Sequence, residues 1–172
     1  GILSADEHAL LGDMIQKSTR LTRLQLALPL YKNALPMLES LENTSTIQDF
    51  SLAIQSLIGE TQFSPLLSLF LGKDGNGIVL RLLRNPWIGL QDLDLNGLGL
   101  EDHHFIAIVQ ALPASHLRRL DVGNNNIQSR AIIEFAKQLF NIQSLERITL
   151  GPIHGGFKPL GHGNVVRLWH KI

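Results

Sequence analysis

A six-residue pattern of the form LxxLxL, in which Ile or Val also occurs, appears three times in the second half of this 172-residue chain. The copies occupy residues 90–95, 117–122 and 145–150, so they start 27 and 28 residues apart. Repeats of 20 to 50 residues are typical of solenoids, in which each unit packs only against its neighbours. The pattern therefore says more about the architecture of the chain than about its partner.

Each copy at 90 and 117 is followed by a stretch with helical spacing. The positions that align between the two units are Phe105 with Ile132, Ile108 with Phe135, Val109 with Ala136 and Leu112 with Leu139. This i, i+3, i+4, i+7 spacing predicts a helix with one apolar stripe behind each strand. Neither element can bury its apolar surface alone, so we expect stacked units to share one continuous core.

The first half of the chain follows the pattern less regularly. Ser4 and Glu7 predict a capping box, and the helix that follows should end near Lys17–Ser18. We expect residues 2–20 to be the second half of a repeat whose strand is missing. Residues 21–26 then predict the first strand, and residues 34–41 predict a short helix.

Two segments in the middle of the chain leave alternatives open. Residues 47–52 fit a strand, but residues 46–58 also have helical spacing; we favour the strand. Residues 66–71 predict a further strand, only 19 residues later, which is short for a complete strand–helix unit. Either that repeat is degenerate or residues 46–58 form a helix within an insert.

The pattern ends after Leu150. Residues 151–163 carry five glycines and predict a loop, and residues 165–169 predict a last strand or a cap. We therefore expect a repeat domain over residues 1–154, with five to six irregular repeats, followed by a C-terminal capping segment over residues 155–172.

Residues 117–127, LRRLDVGNNNI, fit the segment LxxLxLxxNxL at every diagnostic position when Ile and Val are allowed for Leu, with Asn125 as the asparagine. In this the chain resembles leucine-rich-repeat proteins of the ribonuclease-inhibitor subtype. The resemblance implies an α/β fold: a right-handed solenoid with a parallel strand ladder on its concave side and helices on its convex side. In that family the Asn side chain bonds neighbouring backbone. Leu98 stands at the equivalent position of the preceding unit, a departure from the pattern.

Composition excludes several classes of function. The chain has 15 basic and 15 acidic residues, so it lacks the positive charge that nucleic acids or anionic membranes attract. It has no Cys, which excludes disulfides, thiolate nucleophiles and Cys-ligated zinc. Its longest apolar runs, such as residues 66–71, are too short to span a bilayer. We expect neither a nucleic acid nor a membrane among its partners.

No sequence motif predicts catalysis. The glycine-rich segment 71–78 lies between two apolar stretches, but its residue order does not match a phosphate-binding loop. His103 and His104 are adjacent at a helix start, and His154 and His162 flank a glycine-rich stretch, without the convergent spacing that zinc requires. We predict no enzymatic activity, no cofactor and no metal site.

The outward side chains of the predicted strands are the best candidate site. In LxxLxL the leucines face the core, so the residues between them face outward. The candidate protein-binding residues are Arg23, Gln25, Asp49, Phe70, Asp92, Asp94, Arg119, Asp121 and Arg147. Phe70 would be the apolar anchor, because aromatic residues dominate binding hot spots. The alternative is a solvated face on which the charges pair across strands.

We therefore expect a non-catalytic protein-interaction module that binds a protein partner on the concave strand face. The irregular repeats resemble bacterial members of the family, which implies an effector that acts in the cytoplasm or after secretion into a host cell. We expect a monomer. The alternative is a leucine-rich-repeat GTPase activator, which would stimulate a small GTPase by docking and needs no active site of its own.

Overall fold

The computed structural model describes residues 3–29, 31–55, 63–72, 76–151 and 164–167. The strands are β1 (Arg23–Pro29), β2 (Asp49–Gln55), β3 (Leu90–Asp94), β4 (Arg119–Val122), β5 (Arg147–Leu150) and β6 (Asn164–Arg167). The helices are α1 (Ala5–Lys17), α2 (Leu35–Leu41), α3 (Phe63–Leu71), α4 (Ile78–Arg84), α5 (Asp102–Ala111) and α6 (Ser129–Gln138).

The six described strands form one sheet whose spatial order follows the chain from β1 to β6. Strands β1 to β5 are parallel, and β6 is antiparallel to β5. Successive parallel strands need a crossover, and helices provide it here. Helix α1 packs against α2, α2 against α4, α4 against α5, and α5 against α6. The predicted α/β class with parallel strands and packed helices is confirmed.

The inner face of the sheet supplies the core. Strand β2 alternates between partly exposed and buried side chains, and Phe50, Leu52 and Ile54 are the buried ones. Strand β4 buries Leu120 and Val122 in the same way. Alternation with period two is expected when one face of a strand packs on helices and the other is exposed. The prediction that the pattern's leucines face inward is confirmed.

The helices complete the core with one apolar stripe each. All four predicted positions of α5 and its last turn (Phe105, Ile108, Val109 and Leu112) are buried. The ring of Phe105 lies 6.1 Å from the ring of Phe135 on α6, in a tilted arrangement. The α6 stripe is less covered, because Ala136 is exposed and Ile132 and Leu139 are only partly buried. The predicted stripe is thus complete on α5 and incomplete on α6.

Helix α1 begins with the predicted capping box. The Glu7 amide donates to the Ser4 hydroxyl at 3.3 Å, and the Ser4 amide donates to the Glu7 carboxylate at 2.7 Å. The hydrogen bond from the Ser4 backbone lowers the pKa of Glu7. Lys17 is the last helical residue and Ser18 the C-cap, so the predicted end of this helix is also confirmed.

The predicted strand at residues 66–71 is wrong, because these residues belong to helix α3. Leu67, Phe70 and Leu71 are buried while Leu69 is 49% exposed. Burial at i, i+3 and i+4 is the period of a helix, whereas a strand would place adjacent residues 70 and 71 on opposite faces. A helix pair, α3 and α4, therefore stands where a strand was expected.

The strand favoured at residues 47–52 is confirmed as β2, shifted to Asp49–Gln55, and residues 56–58 lie outside the described residues. Of residues 165–169, predicted as a last strand or a cap, residues 165–167 belong to β6 (Asn164–Arg167), and residues 168–169 lie outside the described part of the chain. The predicted loop at 151–163 is described only at Gly151. Of the glycine-rich segment 71–78, residues 73–75 lie outside the described part; the backbone at Gly72 and Gly77 approaches too closely for a side chain at either position.

Candidate protein-binding face

Alternate side chains of the five parallel strands point away from the core and form one exposed surface, here called the strand face. It consists of Arg23, Gln25 and Ala27 of β1, Asp49, Ser51, Ala53 and Gln55 of β2, Asp92 and Asp94 of β3, Arg119 and Asp121 of β4, and Arg147 and Thr149 of β5. All the predicted binding residues except Phe70 lie on this face. Their placement follows from the pleat, which turns every second residue outward.

The prediction that Phe70 is an exposed apolar anchor on this face is wrong. It lies on α3, is 1% exposed and belongs to the hydrophobic core. A side chain packed in the core contacts no partner, so the strand face has no aromatic anchor at this position. The surface is polar and charged instead, which favours recognition by charge complementarity over apolar anchoring.

The strand register arranges these side chains in rows that cross the strands. The first row runs Gln25, Ser51, Asp92, Arg119 and Arg147. The second row runs Ala27, Ala53, Asp94, Asp121 and Thr149. Neighbouring strands lie about 4.8 Å apart, so side chains that follow one another in a row are in reach of each other.

The pairing of β2 with β3 is irregular. Phe50 pairs with Leu90 and Ser51 with Asp92, so Gln91 is an extra residue on β3. A bulge of this kind inserts an unpaired residue and re-aims the side chains that follow it. The registers of β1 with β2, of β3 with β4 and of β4 with β5 are regular.

Two Arg–Asp pairs bridge neighbouring strands on the strand face. Arg23 donates to Asp49 at 2.7 Å. Arg119 binds Asp92 with both arms of its guanidinium: Nη2 lies 2.8 Å from Oδ2, and Nε donates to Oδ1. The hydrogen bond to Asp92 and its negative charge raise the pKa of Arg119. The predicted cross-strand pairing therefore exists, but it neutralises only part of the face.

Asp94 and Asp121 lie directly opposite each other on β3 and β4. The Asn96 amide donates to Asp94 Oδ1 at 2.9 Å, and the Gly123 amide donates to Asp121 Oδ1 at 2.8 Å. The Asn96 side chain also donates to Asp121 Oδ1 at 3.1 Å. Neither carboxylate forms an ion pair with a side chain in the described part of the protein. Like charges in this position repel, so the two acids leave uncompensated negative charge at the centre of the face.

A depression of about 230 Å³ lies where these rows meet. Both carboxylates, the Arg119–Asp92 pair and Ser51 line it. Arg147 borders it on β5, in register with Arg119. Arg147 is exposed and has no ionic partner among the described side chains. The depression thus presents two acidic groups on one side and one basic group on the other.

The loop asparagine supports the strand ends, as predicted. Asn125 is 5% exposed, and its Nδ2 donates to the carbonyls of Leu95 and Val122 at 2.9 Å each. Its Oδ1 accepts from the Leu100 amide at 2.9 Å. One side chain therefore holds its own loop and the loop of the preceding strand. Leu98, which replaces Asn in the preceding unit, is buried among apolar residues.

Sequence reasoning missed a second exposed feature, at the edge where the strands begin. Trp87 is 72% exposed, and the Asn85 side chain accepts a hydrogen bond from its amide at 2.9 Å. It borders a cavity of about 570 Å³ that is also lined by His116 and the ion-paired Arg118 and Glu146. The signal was present in the sequence, since a Trp that follows Asn-Pro just before a strand is expected in a turn.

The histidines do not assemble a site in the described part of the chain. His104 is buried, its Nδ1 accepts from the Glu101 amide at 3.2 Å, and burial lowers its pKa. His103 lies 3.5 Å from the Glu101 carboxylate on the surface. No group of three or more His, Asp or Glu that could hold a metal occurs among the described residues. His154 and His162 lie outside them.

A comparison of the sequence with known protein families and with curated proteins finds no match. In the described residues, no helix has the length and apolar character needed to cross a membrane.

Proposed function

We propose that the chain is a non-catalytic protein-interaction module that binds a protein partner on its strand face. In this proposal the parallel sheet and its helices form a right-handed leucine-rich-repeat solenoid, with the strand face on the concave side. The order of the strands and the Asn125 hydrogen bonds support the solenoid, since both are expected when successive repeats stack.

One observation carries the binding proposal: the exposed face extends over five parallel strands and has charged groups, at its centre and on β5, that form no ion pair with a described side chain. Asp94, Asp121 and Arg147 lack ion pairs among the described side chains, although oppositely charged residues lie on adjacent strands. Fixed, unpaired charges on a rigid sheet favour a partner that supplies the complementary charges. The adjacent depression gives that partner a point of insertion.

The resemblance to irregular bacterial repeat proteins extends the proposal to an effector that acts as a monomer, in the cytoplasm or inside a host cell. Its role would be to hold a partner rather than to transform it.

Site-specific cross-linking tests the proposal. A photo-activated benzophenone amino acid is placed at Gln25, at the β1 end of the strand face and outside its second row, or at Gln110, on the exposed side of α5. Both variants are irradiated in extracts of the producing cells and of candidate host cells. We expect a discrete adduct from position 25 and none of the same mass from position 110.

The two positions are matched, because both are exposed glutamines, so a difference between them reports the surface that the partner contacts. An adduct that forms equally at both positions, or only at position 110, would contradict the proposal.

A further inference from the structure

The second row of the strand face forms a lane of short side chains across the sheet. Ala27, Ala53, Asp94, Asp121 and Thr149 follow one another in register from β1 to β5. The first row beside them carries the longer Arg119 and Arg147. An extended peptide that crosses the strands along this row therefore contacts short side chains over its whole length.

The charge of this lane is concentrated at its centre. The adjacent carboxylates of Asp94 and Asp121 each use Oδ1 to accept backbone hydrogen bonds. The nearest cation in the first row, Arg119, is held by Asp92 instead. Arg147 adds a positive charge at the β5 side. The lane thus combines a central acidic position with a basic position at one side.

We propose, on the basis of the proposed function, that this lane takes an extended segment of the partner whose Lys or Arg side chain inserts between Asp94 and Asp121. A carboxylate two or three residues away on the same segment then meets Arg147. The occupant is a peptide segment of a protein, and its basic side chain is the specificity determinant.

The size of the depression supports a single inserted side chain. Pockets for drug-sized ligands measure roughly 300–1,000 Å³, whereas this depression measures about 230 Å³. A calcium ion would need six or more oxygen ligands. The third aspartate that lines the depression, Asp92, is bound by Arg119, and no group of three acidic or His residues that could hold a metal occurs among the described residues. A guanidinium or ammonium group needs only the two carboxylates.

Peptide selection provides the test. Random dodecapeptides on phage are selected on the immobilised chain at low ionic strength, and the enriched peptides are synthesised with a fluorescent label. We expect the enriched peptides to share a Lys or Arg. Asp94→Asn combined with Asp121→Asn should weaken their binding at least about tenfold, and norleucine in place of the shared Lys should cause the same loss.

One control variant and one blocking variant separate the possible causes of a loss of binding. Asp6→Asn combined with Glu39→Gln makes the same change in net charge at exposed positions on α1 and α2, and it should leave binding unchanged. Ala53→Gln fills the lane and keeps both carboxylates, and it should also abolish binding; Ser51→Gln provides a second block if that variant unfolds.

The outcomes distinguish this inference from the proposed function. Peptides that lose binding with the blocking variants but not with the Asp→Asn pair would overturn the basic-residue inference and leave strand-face binding in place. Peptides that no strand-face variant affects would overturn the inference and count against the face itself. A selection that enriches no peptide also overturns the inference, and the cross-linking experiment then decides the proposed function separately.

Discussion

The guanidinium of Arg119 forms two hydrogen bonds with the carboxylate of Asp92 on the neighbouring strand: Nη2 lies 2.8 Å from Oδ2, and Nε donates to Oδ1. This contact joins β3 to β4 on the exposed side of the sheet. Arg119 thereby pairs with Asp92 and forms no ion pair with the Asp94 or Asp121 carboxylate in the next row. The pair therefore keeps the centre of the strand face open and negatively charged.

The Arg119–Asp92 pair should contribute little to stability. The Arg119 side chain is 64% exposed, so solvent screens its attraction to Asp92. We expect a double-mutant cycle with Arg119→Met and Asp92→Asn to give a coupling free energy of about 0.2–1 kcal/mol. Urea unfolding at low and high salt measures it, and the coupling should shrink at high salt. A coupling that salt does not change would show that the pair is not screened as its exposure implies.

Asn125 should contribute far more to stability than the Arg119–Asp92 pair does. Asn125→Ala removes the partners of the Leu100 amide and of the Leu95 and Val122 carbonyls in a buried loop. Leaving buried polar groups unpaired costs about 1–3 kcal/mol, so the free energy of unfolding should fall by that amount. The neighbouring Asn126→Ala, at an exposed position, is the control and should change it by less than about 0.5 kcal/mol. Equal effects would mean that Asn125 does not support the loops.

Substitution of Phe70 tests whether its ring is part of the core or an anchor for a partner. Truncation of its buried ring by Phe70→Ala should lower the free energy of unfolding by about 3–5 kcal/mol. Phe140, which is 95% exposed, provides the matched control, and Phe140→Ala should be nearly neutral. A Phe70→Ala protein of unchanged stability that had lost its partner would place the ring on the surface after all.

The strands and helices of the second half of the chain were predictable because the spacing of its apolar residues changes clearly from the strand period to the helix period. Strand positions such as Leu120 and Val122 alternate, and helix positions such as Phe105 and Ile108 recur with helical spacing. The loop position of Asn125 followed from the same register. The spacing alone therefore sufficed to assign the outward residues of β3 to β5 to one face.

The spacing of apolar residues could not identify residues 66–71 as helical, and the reason is physical. A short apolar run in which nearly every residue is Leu or Phe satisfies both a strand period and a helix period. Tertiary packing decides between them, and here it buries Leu67, Phe70 and Leu71 on one side of a helix. The register shift at Phe50/Ser51 was equally hidden, because a bulge depends on how two distant strands meet.

His104 should make stability depend on pH. Burial lowers the pKa of His104 in the folded protein below its unfolded value near 6.5. Between these two values the unfolded chain binds the proton more readily, so stability rises with pH. The contribution of His104 is present above pH 6.5 and is lost as the pH falls toward the folded-state pKa.

Unfolding midpoints measured from pH 8 to pH 5 test this dependence. We expect His104→Asn, whose side-chain oxygen can accept the Glu101 amide hydrogen bond, to flatten the decline below pH 6.5. His116→Asn, at an exposed position on another loop, should leave the decline intact. A decline that survives His104→Asn would assign it to another group.

The most direct test of partner binding on the strand face compares two charge reversals in one binding measurement. Arg147 lies on the strand face and Arg130 on α6; both are exposed, and neither forms an ion pair with a described side chain. Binding is measured against the protein identified by cross-linking at position 25. We predict that Arg147→Glu weakens binding at least about tenfold and that Arg130→Glu leaves it unchanged. Unchanged binding by Arg147→Glu, with loss by Arg130→Glu, would place the partner on the helices and contradict the account.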